Sequence, residues 1–277
     1  MLGSRALPSN SFLRCIEPIK SLHGDGWQKL PISGIVGSTV SERARCMDAE
    51  FFALALIWYV AFLFSTVCHE AAHALVAKWG GDLTAYAGGH VTLDPLPHIK
   101  REPFGLVIIP WLCLIASHGT SLFGWGSAPF DPYWQIRYPK RAALMALAGP
   151  VSNFLIALIA AVIMHIGIAY GVFNLTFSPV IGSTAGGLFD GAAMFLSVLF
   201  ILNIILGVFN LLPIPPLDGY SVLGLFVPEQ AFLNMLSFAR SSGFSIVGII
   251  LAYQFFPHLV RPVLGWAMYL FMLPLVP

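Results

Sequence analysis

Charge is scarce in this sequence. Of its 277 residues only 10% are Asp, Glu, Lys or Arg and 57% are hydrophobic, against about 25% charged and 45 to 50% apolar in soluble domains. That balance excludes an ordinary water-soluble globule and calls for an integral membrane protein. The formal net charge of +1 offers no field to a polyanion. There is neither a Gly-rich phosphate loop nor a basic helix interleaved with aromatics, so nucleic acid is not an expected partner. Cysteine is equally sparse: Cys15, Cys46, Cys68 and Cys113 are scattered with no C-x-x-C pair, which argues against a disulfide scaffold and against a thiolate zinc site. Cys68 reads as a small apolar filler. Residues 1–46 contain no apolar run of the roughly 7 to 15 residues that a signal peptide needs. They mix Ser, Gly, Pro and both signs of charge, and are expected to be a disordered tail or to precede the natural start at Met47. Residues 47–277 then form one membrane domain.

What is present is a series of apolar runs. The first extends from Phe51 to Ala77 and ends at Lys78; at about 1.5 Å per residue it crosses a hydrocarbon layer of about 30 Å with some tilt. A polar, Gly-rich segment from Gly80 to Glu102 follows. The stretch Phe104 to Ala116 is too short to span, since spanning takes about 20 residues, and Pro110 would interrupt a helix in its middle. Basic residues flank it on both sides, Lys78, Lys100 and Arg101 before and Arg137, Lys140 and Arg141 after. The positive-inside tendency therefore places both neighbouring loops in the cytoplasm and predicts a re-entrant hairpin between Phe104 and Phe123. Residues 142–189 contain no charged side chain and are read as a span over Ala142 to Ile166 with an outer loop after it. A further span, Gly191 to Leu212, stops at Pro213, Pro215 and Pro216, which lack backbone donors. Two weaker apolar segments, about 241–260 and 262–277, close the chain as short spans or a hairpin. No internal repeat is visible.

Inside the first apolar run stands His69-Glu70-Ala-Ala-His73. Residues four apart on a helix share a face and lie about 6 Å apart along its axis, so both imidazoles can grip one metal, with Glu70 one step round and free to act on a water. The chance expectation of H-E-x-x-H in a chain of this composition is roughly 0.005. Ionisable groups in a span are functional candidates by default. A catalytic zinc takes three protein ligands and keeps an open position. Asp218, directly after the proline break, can supply the third, although a turn aspartate followed by Gly219 is its ordinary reading. Asn203 and Asn210 lie seven apart on one helix face, and Asn203 suits polar contact between spans. His90 and His98 are expected as solvated loop histidines. The segment Asp82 to Asp94 is a candidate extended edge for holding an opened substrate helix.

Three elements together, "HEAAH" closing one span, "ALAGPVSNFLIAL" opening another and "NLLPIPPLDG" closing a third, resemble the signatures of the site-2 protease family of intramembrane zinc metalloproteases. The resemblance runs from about Met47 to Tyr220. "GGHVTLDPLPHIK" is similar to a loop of the compact branch without PDZ or CBS domains, whose usual Arg, Asn and Asp are replaced here by His90, Asp94 and Lys100. The resemblance implies an all-α polytopic fold: three core transmembrane helices carry the zinc site, joined by a re-entrant or short β-containing segment and one or two C-terminal spans. It implies one Zn2+ held by His69, His73 and Asp218. Glu70 would be general base and then general acid, and Asn153 would be a catalytic residue that stabilises the oxyanion or holds substrate backbone. It implies a multi-pass protein of the cell membrane, its active site near the cytoplasmic side, hydrolysing membrane-embedded segments of other proteins within the lipid bilayer. A membrane metal transporter using the same His and Asp groups is the alternative.

Overall fold

The computed structural model describes residues 49–117, 119, 122–176, 180–241 and 244–272; the expected N-terminal tail and the choice between Met1 and Met47 lie outside the described residues. Among the described residues three helices are long and apolar enough to cross a membrane: α1, Ala49–Gly80; α6, Pro139–Ala169; and α7, Leu188–Asn210. Among the described residues between α1 and α6 come four short α-helices, α2 (Thr84–Ala87), α3 (Pro95–Arg101), α4 (Ile109–Ala116) and α5 (Pro132–Arg137). Helices α3 and α5 both start on an Asp-Pro pair. Asp94 accepts from the Leu96 amide at 2.9 Å and Asp131 from the Tyr133 amide at 2.8 Å, and the following proline occupies the first helical position, where its missing donor costs nothing.

The run Phe104 to Ala116 is helical throughout, as a π-helical turn over Phe104–Ile108 that passes into α4. Pro110 sits just inside α4 and does not break the run: the wider turn before it accommodates a residue without a donor. The chain then returns, because the Trp125 amide donates to the Gly105 carbonyl at 3.1 Å.

After α6 the expected outer loop contains a short antiparallel ribbon, β1 (Phe173–Leu175) on β2 (Ile181–Ser183), with Asn174 opposite Gly182. Helices α8 (Asp218–Val222) and α9 (Glu229–Ser241) follow α7, and the C-terminal region is one helix, α10, Phe244–Met272. One or two C-terminal segments were expected; the two apolar segments are continuous here, with Pro257 and Pro262 inside this single helix. Each proline removes one hydrogen bond, and in apolar surroundings the remaining backbone groups have no better partners than helical ones.

Small residues let the core helices approach. Ala142, Ala143, Ala146 and Ala160 of α6 are buried, and Gly207 of α7 receives the Phe154 ring, where a Cβ would lie 2.8 Å from its tip. With lipid as apolar as Leu, close packing of small residues is what holds such helices together. The opposite face of α6 carries Leu158 and Ile159, 60% and 58% exposed, the surface a bilayer would cover.

Two sequence expectations fail between α1 and α3. Among the described residues the Asp82 to Asp94 segment holds no strand: it forms the helical turn α2 and a turn at Gly89, where φ is 74°. The Asp82 carboxylate instead binds the Thr84 and Asp131 amides at 2.9 and 2.8 Å, which curls the segment against the start of α5. His90 and His98 are not solvated either, being 6% and 2% exposed with their rings 5.3 Å apart edge to face. Burial, and after it the neighbouring His98 and Arg101, pull the His90 imidazole below its ordinary value of 6.5. An unfolded chain therefore binds the proton first, and stability is full above 6.5 and falls as pH drops from there towards the lower folded value. The thermal midpoint of the purified chain should decline between about pH 7 and pH 5.5, and His90→Gln should flatten that slope; equal slopes would show that His90 does not titrate on unfolding.

Candidate metal centre

Along α1, Ser65, His69 and His73 follow one another at intervals of four and so occupy one face. All three are buried, as is Glu70. The His69 and His73 Nε2 atoms are 2.9 Å apart, and the Asp218 Oδ2 lies 3.0 Å from the first and 3.3 Å from the second. Among the described residues these three form the group able to hold a metal ion. A tetrahedral zinc with bonds of about 2.0 to 2.1 Å keeps its donors roughly 3.3 Å apart, close to what these side chains already show.

The space itself is kept by a glycine. A Cβ on Gly149 of α6 would strike the Nε2 atoms of both His69 and His73, so any side chain there would fill the position between the two donors. Asp218 Oδ2 is buried without a hydrogen-bond donor, a costly state for a carboxylate oxygen unless a cation completes it. The residues present therefore fit the metal that their pattern calls for.

Each candidate donor arrives by a separate route. His73 Nδ1 lies 2.7 Å from the Met145 carbonyl of α6. A carbonyl only accepts, so the proton sits on Nδ1 and Nε2 is left bare for a metal. Asp218 opens α8 after the turns that stop α7. Gly219 beside it packs on the Leu211 backbone, where a Cβ would overlap the carbonyl. Lys140, in the first turn of α6, donates to the Gly224, Val227 and Leu225 carbonyls at 2.8, 2.9 and 3.3 Å. The short segment that bears Asp218 is thereby fastened on both sides.

Glu70 lines a cavity of about 660 Å³ together with His69, His73, Asp218, Trp125 and Phe209. Its carboxylate is approached by backbone: a Cβ on Gly126 would sit 2.8 Å from both Glu70 Cγ and Oε1. The Gly124-Trp125-Gly126 stretch escaped the sequence reading. Two glycines flanking one aromatic residue in a segment with no periodicity was the available signal, because such spacing marks close backbone approach. Asn210 also lines the cavity, with its amide on the Leu206 carbonyl at 3.1 Å. Asn153 is wholly buried, and both ends of its amide are engaged, Oδ1 on His69 Nδ1 at 2.7 Å and Nδ2 on Asn203 Oδ1 at 2.9 Å. Its amide thus bridges His69 on α1 and Asn203 on α7.

Two histidines one helical turn apart, a remote aspartate and an adjacent glutamate, all set among apolar helices, define a membrane-embedded metalloprotease of the zincin type. The chain belongs to peptidase family M50, the site-2 proteases, whose profile matches residues 57–252. It is similar to the Bacillus subtilis (strain 168) protein named "Putative zinc metalloprotease YwhC", 32% identical over 219 residues that make up 78% of this chain and 90% of that one. It is similar also to "Putative zinc metalloprotease Rip2" of Mycolicibacterium smegmatis, 30% identical over 69% of this chain and 64% of that protein. The Mycobacterium tuberculosis H37Rv protein of the same name is 33% identical over 58% of this chain and 54% of its own length. No solved structure matches. The chain is a zinc-dependent intramembrane protease, and the transporter alternative finds no support.

Proposed function

We propose that this chain cleaves peptide bonds within or beside transmembrane segments of other proteins, with His69, His73 and Asp218 holding one zinc ion and Glu70 handling the proton. The convergence of three donors around the space that Gly149 keeps open carries this reading. Bound zinc supplies a Lewis acid that makes water a nucleophile near neutral pH. Glu70 takes the proton as the water oxygen bonds to the peptide carbon. It then delivers that proton to the leaving nitrogen as the carbon–nitrogen bond breaks. The cavity, walled by Phe62, Phe123 and Phe209 beside the polar groups, suits an apolar segment opened locally so that its carbonyl is free.

In this proposal the chain is a multi-pass protein of the cell membrane, with the site near its cytoplasmic side and the Phe104 to Phe123 region re-entrant. Arg141 Nη1 and Trp134 Nε1 both donate to the Gly80 carbonyl at 3.0 Å, which supports a common side for the end of α1 and the start of α6. His73 is seven residues from Gly80, about 10 Å along the helix. The return of Trp125 to Gly105 supports the hairpin.

Labelling tests it. Residues 98 and 135 are buried, whereas Leu93 and Tyr133 are 63% and 82% exposed and flank the hairpin, and Tyr170 at the far end of α6 is 82% exposed. Cysteines at 93 and 133 should both react with an impermeant reagent from the cytoplasmic side and a cysteine at 170 from the other. Opposite labelling of 93 and 133 would mean a full crossing between them and overturn the topology.

A further inference from the structure

Asn153 does not end the chain of contacts behind His69. Its Nδ2 donates to Asn203 Oδ1 at 2.9 Å; Asn203 Nδ2 donates to the Leu199 carbonyl and to Ser65 Oγ, each at 2.8 Å; and Ser65 Oγ donates to the Ala61 carbonyl at 2.6 Å. Ser65, Asn153 and Asn203 are all 0% exposed. The series joins α1, α6 and α7 and returns to α1, one turn before His69.

Its direction is fixed by its ends. The Ala61 and Leu199 carbonyls only accept. Ser65 therefore spends its hydrogen on Ala61 and offers Asn203 a lone pair. Asn203 spends both amide hydrogens on Ser65 and Leu199, and can present only its oxygen to Asn153. Asn153 must then face Asn203 with nitrogen and His69 with oxygen. An amide oxygen only accepts, so His69 must carry its proton on Nδ1, which leaves Nε2 bare towards His73 and Asp218.

We infer that Asn203, aided by Ser65, is a positioning residue for the metal centre: acting through Asn153, it sets the His69 tautomer and keeps Nε2 available to zinc. This rests on the protease reading only in that His69 is a ligand. His73 takes its tautomer independently from Met145, so the two histidines should respond differently to the same change.

The test uses the full chain, purified with zinc and labelled with ¹⁵N in histidine. In the native protein the His69 Nδ1–H should appear as a hydrogen-bonded proton protected from exchange. Asn203→Leu should remove that protection, leave the His73 proton unchanged and weaken zinc roughly 10- to 100-fold in competition with a chelator. Asn203→Asp still offers an oxygen to the Asn153 amide and should retain the His69 signature, whereas Asn203→Ala has no acceptor and should lose it, which keeps the inference testable if the Leu variant does not fold. Asn153→Asp retains an acceptor for His69 and should keep the proton that Asn153→Leu loses. The inference is overturned if Asn203→Leu and Asn203→Ala bind zinc natively with His69 unchanged, or if Asn203→Asp loses the His69 signature as Asn203→Leu does. It is overturned equally if both histidine signals and the thermal midpoint collapse together, the mark of a purely structural contact. A native chain that binds no zinc would instead defeat the protease reading itself.

Discussion

Glu70→Gln should abolish proteolysis while leaving zinc in place. The substitution keeps size and shape in the cavity and removes neither His69, His73 nor Asp218, so metal content should match the native chain. What is lost is a group able to accept a proton from water and return it to the leaving nitrogen, an effect of about 10²- to 10⁴-fold on the chemical step. Since the cavity walls are untouched, the loss should fall on kcat and leave KM close to native. The measurement is cleavage of a single-pass membrane substrate by reconstituted protein, with zinc per chain determined on the same sample. A zinc-replete variant cleaving at the native rate would remove Glu70 from the mechanism. Loss of zinc would instead point to a role for Glu70 in holding the metal.

Most of the candidate site is legible in the sequence because its parts are local or bounded by local breaks. The four-residue spacing of His69 and His73 needs only a helix. Asp218 was found because the proline run Pro213 to Pro216 has to stop α7 and turn the chain. The spans were legible within a few residues, α1 and α6 each running on at both ends beyond the apolar run, because backbone hydrogen bonding continues into the polar flanks. What failed depended on pairing across the fold. His90 and His98 look like loop residues in sequence, yet the fold buries both and brings their rings together. The Asp82 to Asp94 segment has strand-like composition, but the Asp82 carboxylate binds local and distant amides and curls it into turns. Asn203 was rightly read as a contact between spans, but sequence could not say that its partners run to His69. Periodicity places a side chain on a face; it does not say what stands opposite.

Gly149→Ala should remove zinc without touching a ligand. In an ordinary helix this substitution is favourable by roughly 1 kcal/mol, because glycine gives up more backbone freedom on folding. Gly191 supplies the comparison: it lies on α7 with open space where a Cβ would stand, so Gly191→Ala should keep native zinc and activity. At position 149 the new methyl would occupy the space between the His69 and His73 Nε2 atoms, in contact with both. Relief requires the imidazoles to swing away, yet His69 is held by Asn153 and His73 by the Met145 carbonyl, each at 2.7 Å. Breaking either bond leaves a buried polar group unpaired, at a cost of about 1 to 3 kcal/mol. Whichever way the strain resolves, by moving the rings or by leaving them, the donors no longer surround an accessible site. Zinc affinity should fall by roughly 100-fold or more, beyond what loss of one supporting hydrogen bond produces, and activity should vanish with it. Metal analysis of the purified variant, beside its thermal midpoint, checks this. A well-folded Gly149→Ala protein with a full complement of zinc would mean that the metal does not sit between His69, His73 and Asp218.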